Sequence, residues 1–140
     1  MKKLSFIYIH LSDDFQFQSD KLTALKKAYP NNFFIDVDNQ SETLLMNYLD
    51  RLVSESTYSF IIIDVQEFEN INPALLKLFY KFSKKSNLFV FQLSVHTQTQ
   101  AIFKRVQSRY FFSNEWSELQ QTIAETYQVV TTAGKTDTKP

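Results

Sequence analysis

The sequence contains no cysteine, and its only glycine, Gly134, lies close to the C-terminal end. Without cysteine the chain forms no disulfide bond and has no thiolate for catalysis or for a zinc site. Because residues 1–133 hold no glycine, the chain lacks the loops in which a bare backbone approaches a phosphate group, and this excludes P-loops and dinucleotide-binding loops. The G-x-S-x-G nucleophile elbow is excluded for the same reason.

An excess of charge of either sign is also absent, since 15 lysines and arginines balance 15 aspartates and glutamates. A neutral chain has no overall field that attracts nucleic acid or anionic lipid. The apolar run near the N-terminus is too short for a signal peptide, and no later stretch approaches the ~20 apolar residues of a membrane span. We therefore expect a cytoplasmic protein that binds neither nucleic acid nor membrane.

The sequence does have a regular alternation of apolar runs and amphipathic stretches. The runs are rich in β-branched and aromatic residues, as buried strands are, and cover residues 4–11, 33–37, 58–65, 88–93 and 110–112. Alternation of this kind predicts an α/β fold with one parallel sheet and right-handed crossovers. Five such units favour a flavodoxin-like, three-layer α/β/α sandwich with a five-stranded parallel sheet in the order 2-1-3-4-5.

The amphipathic stretches carry helix start signals. We predict five helices, over 19–29, from just after residue 39, from residue 73, over 97–107 and over 115–127. Asn72 followed by Pro73 is the strongest signal, because Asn caps helices and Pro fits their first position. Asn114 is the expected cap of the last helix, and His96 is expected to cap the loop after the fourth strand.

The domain organisation follows from the length and from the extent of the pattern. A chain of 140 residues is one ordinary domain. The alternation ends near residue 128, and the segment after it is small and polar. We therefore predict a single α/β domain over 1–128 and a flexible tail over 129–140.

Acidic residues follow three of the predicted strands. Asp13 and Asp14 come after the first strand, Asp36 and Asp38 end the second, and Asp64 ends the third. In a parallel α/β sheet these carboxyl ends share one edge, where ligands bind beside the point at which the strand order reverses. Carboxylates of Asp13, Asp14 and Asp64 would suit Mg²⁺ there. Asp64 either belongs to such a functional site or caps the backbone of the following loop. For Asp13 and Asp14, a role at the start of the first helix is favoured over metal binding.

Basic and aromatic residues concentrate later in the chain. Residues 70–114 contain seven lysines and arginines and no acidic residue. A basic helix face and a run of rings near the last strand are candidate partner-binding surfaces. The residues singled out are Lys77, Lys81, Lys84, Tyr110, Phe111 and Trp116. The alternative is that the lysines form an ordinary solvated face and that the rings complete the core.

The segment 60–65, which ends in Asp64 and Val65, resembles the strand of response-regulator receiver domains that carries the phospho-accepting aspartate. Ser94 ends the next strand, where receivers keep the Ser or Thr that senses the phosphoryl group. Residues 110–123 resemble the last strand and helix of these domains. The resemblance implies Asp64 as the nucleophile, with Asp13 or Asp14 holding Mg²⁺.

Two regions depart from the receiver pattern. His10 and Leu11 occupy the tip of the first strand, where receivers have two acids. Phe112, Ser113 and Asn114 stand where receivers have an invariant lysine. The chain thus resembles a degenerate receiver, which implies a signalling module that contacts a protein partner, or a second copy of itself, instead of transferring a phosphoryl group.

Two other resemblances compete with this one. Residues 6–14 and 33–36 are similar to the opening of a TIR domain. TIR enzymes carry a catalytic Glu on the helix after the third strand, but here that helix has no acidic residue, because Glu67 and Glu69 precede it. Residues 60–123 resemble an STAS domain, with Asn72 in the place of its Ser. The first hypothesis is therefore a non-catalytic interaction module. The alternatives are a phospho-accepting receiver that uses Mg²⁺ and a TIR-like NAD-processing or signalling domain.

Overall fold

Five strands form one parallel sheet in the order β2-β1-β3-β4-β5. The computed structural model describes residues 3–12, 20–38, 43–66 and 70–137. Within these residues the strands are β1 Leu4–Leu11, β2 Phe33–Asp38, β3 Tyr58–Val65, β4 Leu88–Leu93 and β5 Tyr110–Ser113. The predicted strand positions and strand order are confirmed.

Helices cover both faces of this sheet. They are α1 Asp20–Ala28, α2 Thr43–Glu55, α3 Pro73–Phe82, α4 Thr97–Phe103 and α5 Trp116–Asp137, with a 3₁₀ segment at Lys104–Arg109. Apolar side chains of α1 and α5 pack on one face, and those of α2, α3 and α4 pack on the other. The result is a doubly wound, flavodoxin-like three-layer sandwich. Over the described part of the chain, no helix has the length and hydropathy needed to cross a membrane.

Strand β1 lies inside the sheet, since it pairs with β2 on one side and β3 on the other. All eight of its residues are buried. Its side chains alternate between the layers, because Phe6 and Tyr8 pack toward α1 and α5 while Ile7 and Ile9 pack toward α2 and α3. A strand with helices on both faces needs a continuous apolar run, which is what this part of the sequence provides.

A row of stacked phenylalanine rings crosses the sheet on the face that α1 and α5 cover. Each strand contributes one ring, in the order Phe34, Phe6, Phe60, Phe91 and Phe111. Neighbouring ring centroids lie 4.7, 4.8, 6.0 and 5.2 Å apart, and paired ring planes lie within 19° of each other. Stacked pairs gain about 0.5–1.5 kcal/mol beyond their area burial. This phenylalanine ladder therefore ties all five strands together.

The helix caps agree with the prediction at one end and differ at another. The Asn72 side chain accepts a 2.8 Å hydrogen bond from the Ala74 N–H, so the predicted cap of α3 is confirmed. At the start of α5 the Ser113 hydroxyl accepts a 2.9 Å bond from the Glu115 N–H. The capping bond seen there thus comes from Ser113, one residue before the predicted Asn114.

Two helices end elsewhere than predicted. The helix expected over 97–107 is α-helical only to Phe103, and the 3₁₀ segment after it is broken at Val106, where φ is −111° and ψ is 44°. α5 continues to Asp137, ten residues beyond the predicted end of this helix at residue 127. Val130 explains the extension, since its side chain is buried against the α1 and α5 side of the sheet. The threonines that follow bond back to carbonyls four residues earlier.

Substitution of Phe60 by Ala tests the ladder. Phe60 is fully buried and contacts rings on both sides, so Phe60→Ala should lower the free energy of unfolding by about 3–5 kcal/mol. Phe112→Ala is the matched control because that ring is 38% exposed, and its cost should stay below about 1 kcal/mol. Urea denaturation followed by circular dichroism measures both. Equal losses in the two variants would contradict the special position of the ladder.

Candidate functional site

The candidate site lies at the carboxyl ends of β1 and β3, two adjacent strands inside the sheet. Open α/β sheets bind ligands at this edge, beside the reversal of strand order. In the sheet register His10 of β1 lies beside Asp64 of β3 and, on its other side, beside Asp38 of β2. The structure therefore places Asp64 at the predicted edge. Only 3% of its surface is exposed, however.

Two side chains hold the Asp64 carboxylate. The Tyr8 hydroxyl donates a buried 2.6 Å hydrogen bond to Asp64 Oδ2, and Lys21 Nζ lies 3.9 Å from the same oxygen. The first contact follows from strand alternation. Tyr8 is paired with Ile62, two residues before Asp64, so Tyr8 and Asp64 leave the sheet on the same face. Lys21 reaches the carboxylate from the first turn of α1, which packs on that face.

A second pair of groups adjoins this carboxylate. His10 Nε2 lies 3.7 Å from Asp36 Oδ2, and the His10 ring centroid lies 4.7 Å from that of Tyr8. His10 is buried, whereas the Asp36 side chain is about half exposed. We call Tyr8, His10, Lys21, Asp36 and Asp64 the edge cluster. It joins β1, β2, β3 and α1 through polar groups at the place where their carboxyl ends and the helix start meet.

The charge of Asp64 is compensated from within the edge cluster. The Tyr8 hydroxyl and the Lys21 ammonium group both approach Oδ2 of Asp64, which gives this oxygen a donor and a positive charge of its own. Among the described residues, no group of three or more His, Asp and Glu side chains is arranged to hold a metal ion. Asp13 and Asp14, the other predicted Mg²⁺ ligands, lie outside the described residues.

The sequence argument missed Tyr8 and Lys21. Tyr8 stands in an apolar run and was counted with the core, and it is indeed fully buried. Its hydroxyl nevertheless indicates a polar contact at this edge. Tyr8 points to the same face of the sheet as His10, and its register partner precedes Asp64 by two residues. Lys21 has no comparable signal. Its contact with Asp64 depends on how α1 crosses the sheet, which residue spacing does not specify.

Ser94, the predicted phosphoryl-sensing residue, follows the register partner of Asp64, Leu93. Its backbone is left-handed, with φ at 75°. Its N–H donates a 2.9 Å bond to the Ser113 carbonyl, and its own carbonyl accepts a 3.0 Å bond from Gln92 Nε2. A non-glycine residue in this region carries strain of about 1 kcal/mol or more, which the two hydrogen bonds offset. The backbone of Ser94 thus turns away from β4 and is hydrogen-bonded to the end of β5.

A buried polar network supports this turn. Gln92 Oε1 accepts hydrogen bonds from the Thr99 hydroxyl at 2.7 Å and from the Tyr110 hydroxyl at 2.8 Å. Gln92 and Thr99 are fully buried, so each bond avoids the cost of an unsatisfied polar group. Burial also raises the pKa of Tyr110, which keeps its hydroxyl a donor. Tyr110, predicted to contact a partner, therefore directs its hydroxyl into the domain.

His96 caps the N-terminus of α4. Its Nδ1 accepts a 3.3 Å hydrogen bond from the Thr99 N–H, which confirms the predicted role in the loop. A ring nitrogen that accepts a hydrogen bond carries no proton. Burial lowers the pKa of His96 from its ordinary value of 6.5, so the fold and the cap both favour the neutral imidazole.

The lysines of the predicted basic face fall into two groups. Lys81 Nζ lies 3.4 Å and Lys85 Nζ 3.8 Å from the carboxylate of Asp50, so Lys81 links α3 to α2 and Lys85 links the segment after α3 to α2. Lys77 and Lys84 are exposed. Neither forms an ion pair with any carboxylate in the described part of the chain.

The predicted aromatic surface is only partly exposed. Phe111 forms the end of the phenylalanine ladder, and Trp116 packs against the core between the sheet and α5. Both side chains thus contribute to the core and keep a partly accessible edge. Phe112 points away from this layer and is 38% exposed.

Removal of the Tyr8 hydroxyl tests the edge cluster. Tyr8→Phe leaves a buried Asp64 oxygen without this donor, so the free energy of unfolding should fall by about 1–3 kcal/mol. Tyr80→Phe is the matched control, since Tyr80 is 52% exposed and should lose almost nothing. Chemical denaturation of both variants measures the difference. An unchanged free energy of unfolding in Tyr8→Phe would show that the hydrogen bond to Asp64 does not stabilise the fold.

The pH dependence of stability tests the His96 cap. Because the pKa of His96 is lower in the folded chain than the 6.5 of the unfolded chain, the unfolded state binds more protons between these two values. The contribution of His96 should be complete above about pH 6.5 and should decline as the pH falls below that value. His96→Asn keeps a capping side chain that does not titrate. Urea denaturation from pH 5 to 8 should give a flatter profile for the variant, and parallel profiles would contradict the role of His96.

Comparison with known proteins finds no relative of this chain. The chain matches no protein-family model. No curated protein and no solved structure shows significant similarity to it. The function therefore has to follow from the chemistry of the chain itself.

Proposed function

We propose that this protein is a non-catalytic interaction module, similar in form to a receiver domain, whose role is to contact a protein partner in signalling. One observation carries the proposal. The carboxylate at the end of β3, where a phospho-accepting aspartate would stand, is buried and bonded to the protein's own Tyr8.

A phospho-accepting carboxylate has to present an oxygen to an incoming phosphoryl donor. In-line transfer requires the nucleophile, the phosphorus atom and the leaving group to lie roughly on one line. Asp64 is 3% exposed, and its Oδ2 already contacts Tyr8 and Lys21. The contacts favour a structural role, in which the carboxylate joins β3 to β1 and α1.

The exposed apolar side chains support a binding role. Seven large apolar side chains of the described residues are exposed, and three of them, Tyr80, Val95 and Phe112, belong to α3, the β4–α4 loop and β5. Aromatic residues are enriched in the centres of protein–protein interfaces, because they bury much area at a small cost in conformational entropy. These elements lie within the segment 70–114, which has basic residues but no acidic ones.

The second candidate function is a phospho-accepting receiver that uses Asp64 with Mg²⁺. It is favoured by the position of Asp64 at the carboxyl end of β3, beside β1, where α/β sheets bind ligands. The two functions differ in what Asp64 does when a phosphoryl donor is present. They can therefore be separated by one experiment.

We expect the wild-type chain to remain unmodified when it is incubated with acetyl phosphate and Mg²⁺, because Asp64 is buried and its Oδ2 already contacts Tyr8 and Lys21. Intact mass spectrometry and the binding of beryllofluoride, followed by NMR, give two independent measurements. Asp64→Asn is the control, and it should behave as the wild type does. A phosphoryl adduct or a beryllofluoride shift that Asp64→Asn abolishes would overturn the proposed function and establish the phospho-accepting one.

A further inference from the structure

A groove runs between the C-terminal end of α3 and the helix α4. Its volume is about 340 Å³, which falls within the roughly 300–1,000 Å³ range of ligand clefts. It is lined by Tyr80, Ser83, Lys84, Gln98, Ala101, Ile102 and Arg105. We call it the α3–α4 groove. It lies on the face of the sheet opposite to α1 and α5.

The charge of this groove is of one sign. Lys84 and Arg105 are its only charged lining residues, and both are exposed. Neither forms an ion pair within the described residues. The segment 70–114, which supplies the whole lining, contains no Asp or Glu. The groove therefore offers two cations that its own surroundings do not neutralise.

The lining also provides an apolar contact area. Ile102 is almost fully buried and Ala101 is exposed beside it. The ring of Tyr80, 52% exposed, stands at the rim formed by α3. The groove thus combines basic side chains with an accessible tyrosine ring and a small apolar floor. This combination suits a peptide in which acidic residues flank one apolar side chain.

The other cleft with lysines is less suited to an external ligand. It lies between α2 and α3, has a volume of about 80 Å³ and is lined by Lys77, Lys81 and Asp50 among others. Lys81 is already paired with Asp50 there, so part of its charge is compensated within the protein. Of these two clefts, the α3–α4 groove is therefore the one in which no lining cation is paired with a lining carboxylate.

From these observations we infer that the α3–α4 groove binds an acidic peptide segment of a protein partner, with carboxylates on Lys84 and Arg105 and one apolar side chain against Tyr80 and Ile102. This inference rests on the proposed interaction function and names the partner chemistry and the surface. A peptide is favoured over a nucleic acid because the chain is neutral overall, and a surface for nucleic acid needs a larger basic patch. Complementary charge here would act mainly on the association rate and on specificity.

The test is an NMR titration of the ¹⁵N-labelled full chain with three probes. The first is the synthetic peptide Glu-Asp-Glu-Phe-Glu-Asp-Glu, the second replaces its Phe by Ala, and the third is a short oligothymidylate. We expect the first peptide to shift the backbone amides of Lys84, Ala101 and Arg105, and the second to bind several-fold more weakly. Binding should weaken as salt is added, because the contacts are between exposed charges.

Charge reversal locates the binding. The double variant Lys84→Glu with Arg105→Glu should bind the first peptide about tenfold more weakly or worse, since two attractive pairs become repulsive. Lys26→Glu with Lys27→Glu changes the net charge equally on exposed positions of α1, on the opposite face, and should bind as the wild type does. Circular dichroism checks that both variants are folded.

Three results would overturn the inference. These are no shift with the first peptide up to millimolar concentration, an equal loss of binding in the two double variants, and tighter binding of oligothymidylate than of the peptide in the same groove. A failure of this inference is distinguishable from a failure of the proposed function. The proposed function fails if Asp64 is phosphorylated, whereas peptide binding to the groove is measured separately by the amide shifts of the groove residues.

Discussion

The stacking of one phenylalanine from each strand holds the architecture together. The ladder runs from Phe34 on β2 to Phe111 on β5 and crosses the fully buried rings of Phe6, Phe60 and Phe91. The other face has no such row and is filled mainly by aliphatic side chains of α2, α3 and the strands. The two faces of the sheet are therefore packed in different ways.

A second constraint is the absence of glycine before residue 134. Turns that usually take glycine are made here by polar side chains and by strained backbone. Ser94 adopts a φ of 75°, and its hydrogen bonds to Ser113 and Gln92 compensate the strain. Asn72 and His96 cap α3 and α4 through their side chains. Order at the carboxyl end of β4 thus depends on a network of side chains, which makes it sensitive to the protonation of His96.

In the proposed function, the edge cluster gives a structural role to Asp64, a residue that resembles a reactive group. Asp64 has the strand position and the sheet edge that phosphoryl chemistry would use. Tyr8 and Lys21 convert it into a joint between β1, β3 and α1, because a buried carboxylate needs a donor and a counter-charge more than it needs solvent. In the proposed function, polar groups at this edge stabilise the fold, and a partner binds at the exposed surface around α3 and α4.

Strand positions and the cap of α3 were determined by the sequence alone, because apolar periodicity and the Asn72–Pro73 pair act locally. The strand order followed from the number of β-α units and the order typical of doubly wound sheets. The end of α5 was not determined by the sequence alone, since the burial of Val130 depends on contacts with a distant part of the chain. The same holds for the candidate site. Sequence placed Asp64 at the edge, but the contacts of its carboxylate with Tyr8 and Lys21 were decided by the tertiary structure, in which β1 and α1 pack beside β3. Periodicity specifies which face a residue occupies, and only packing specifies what it meets there.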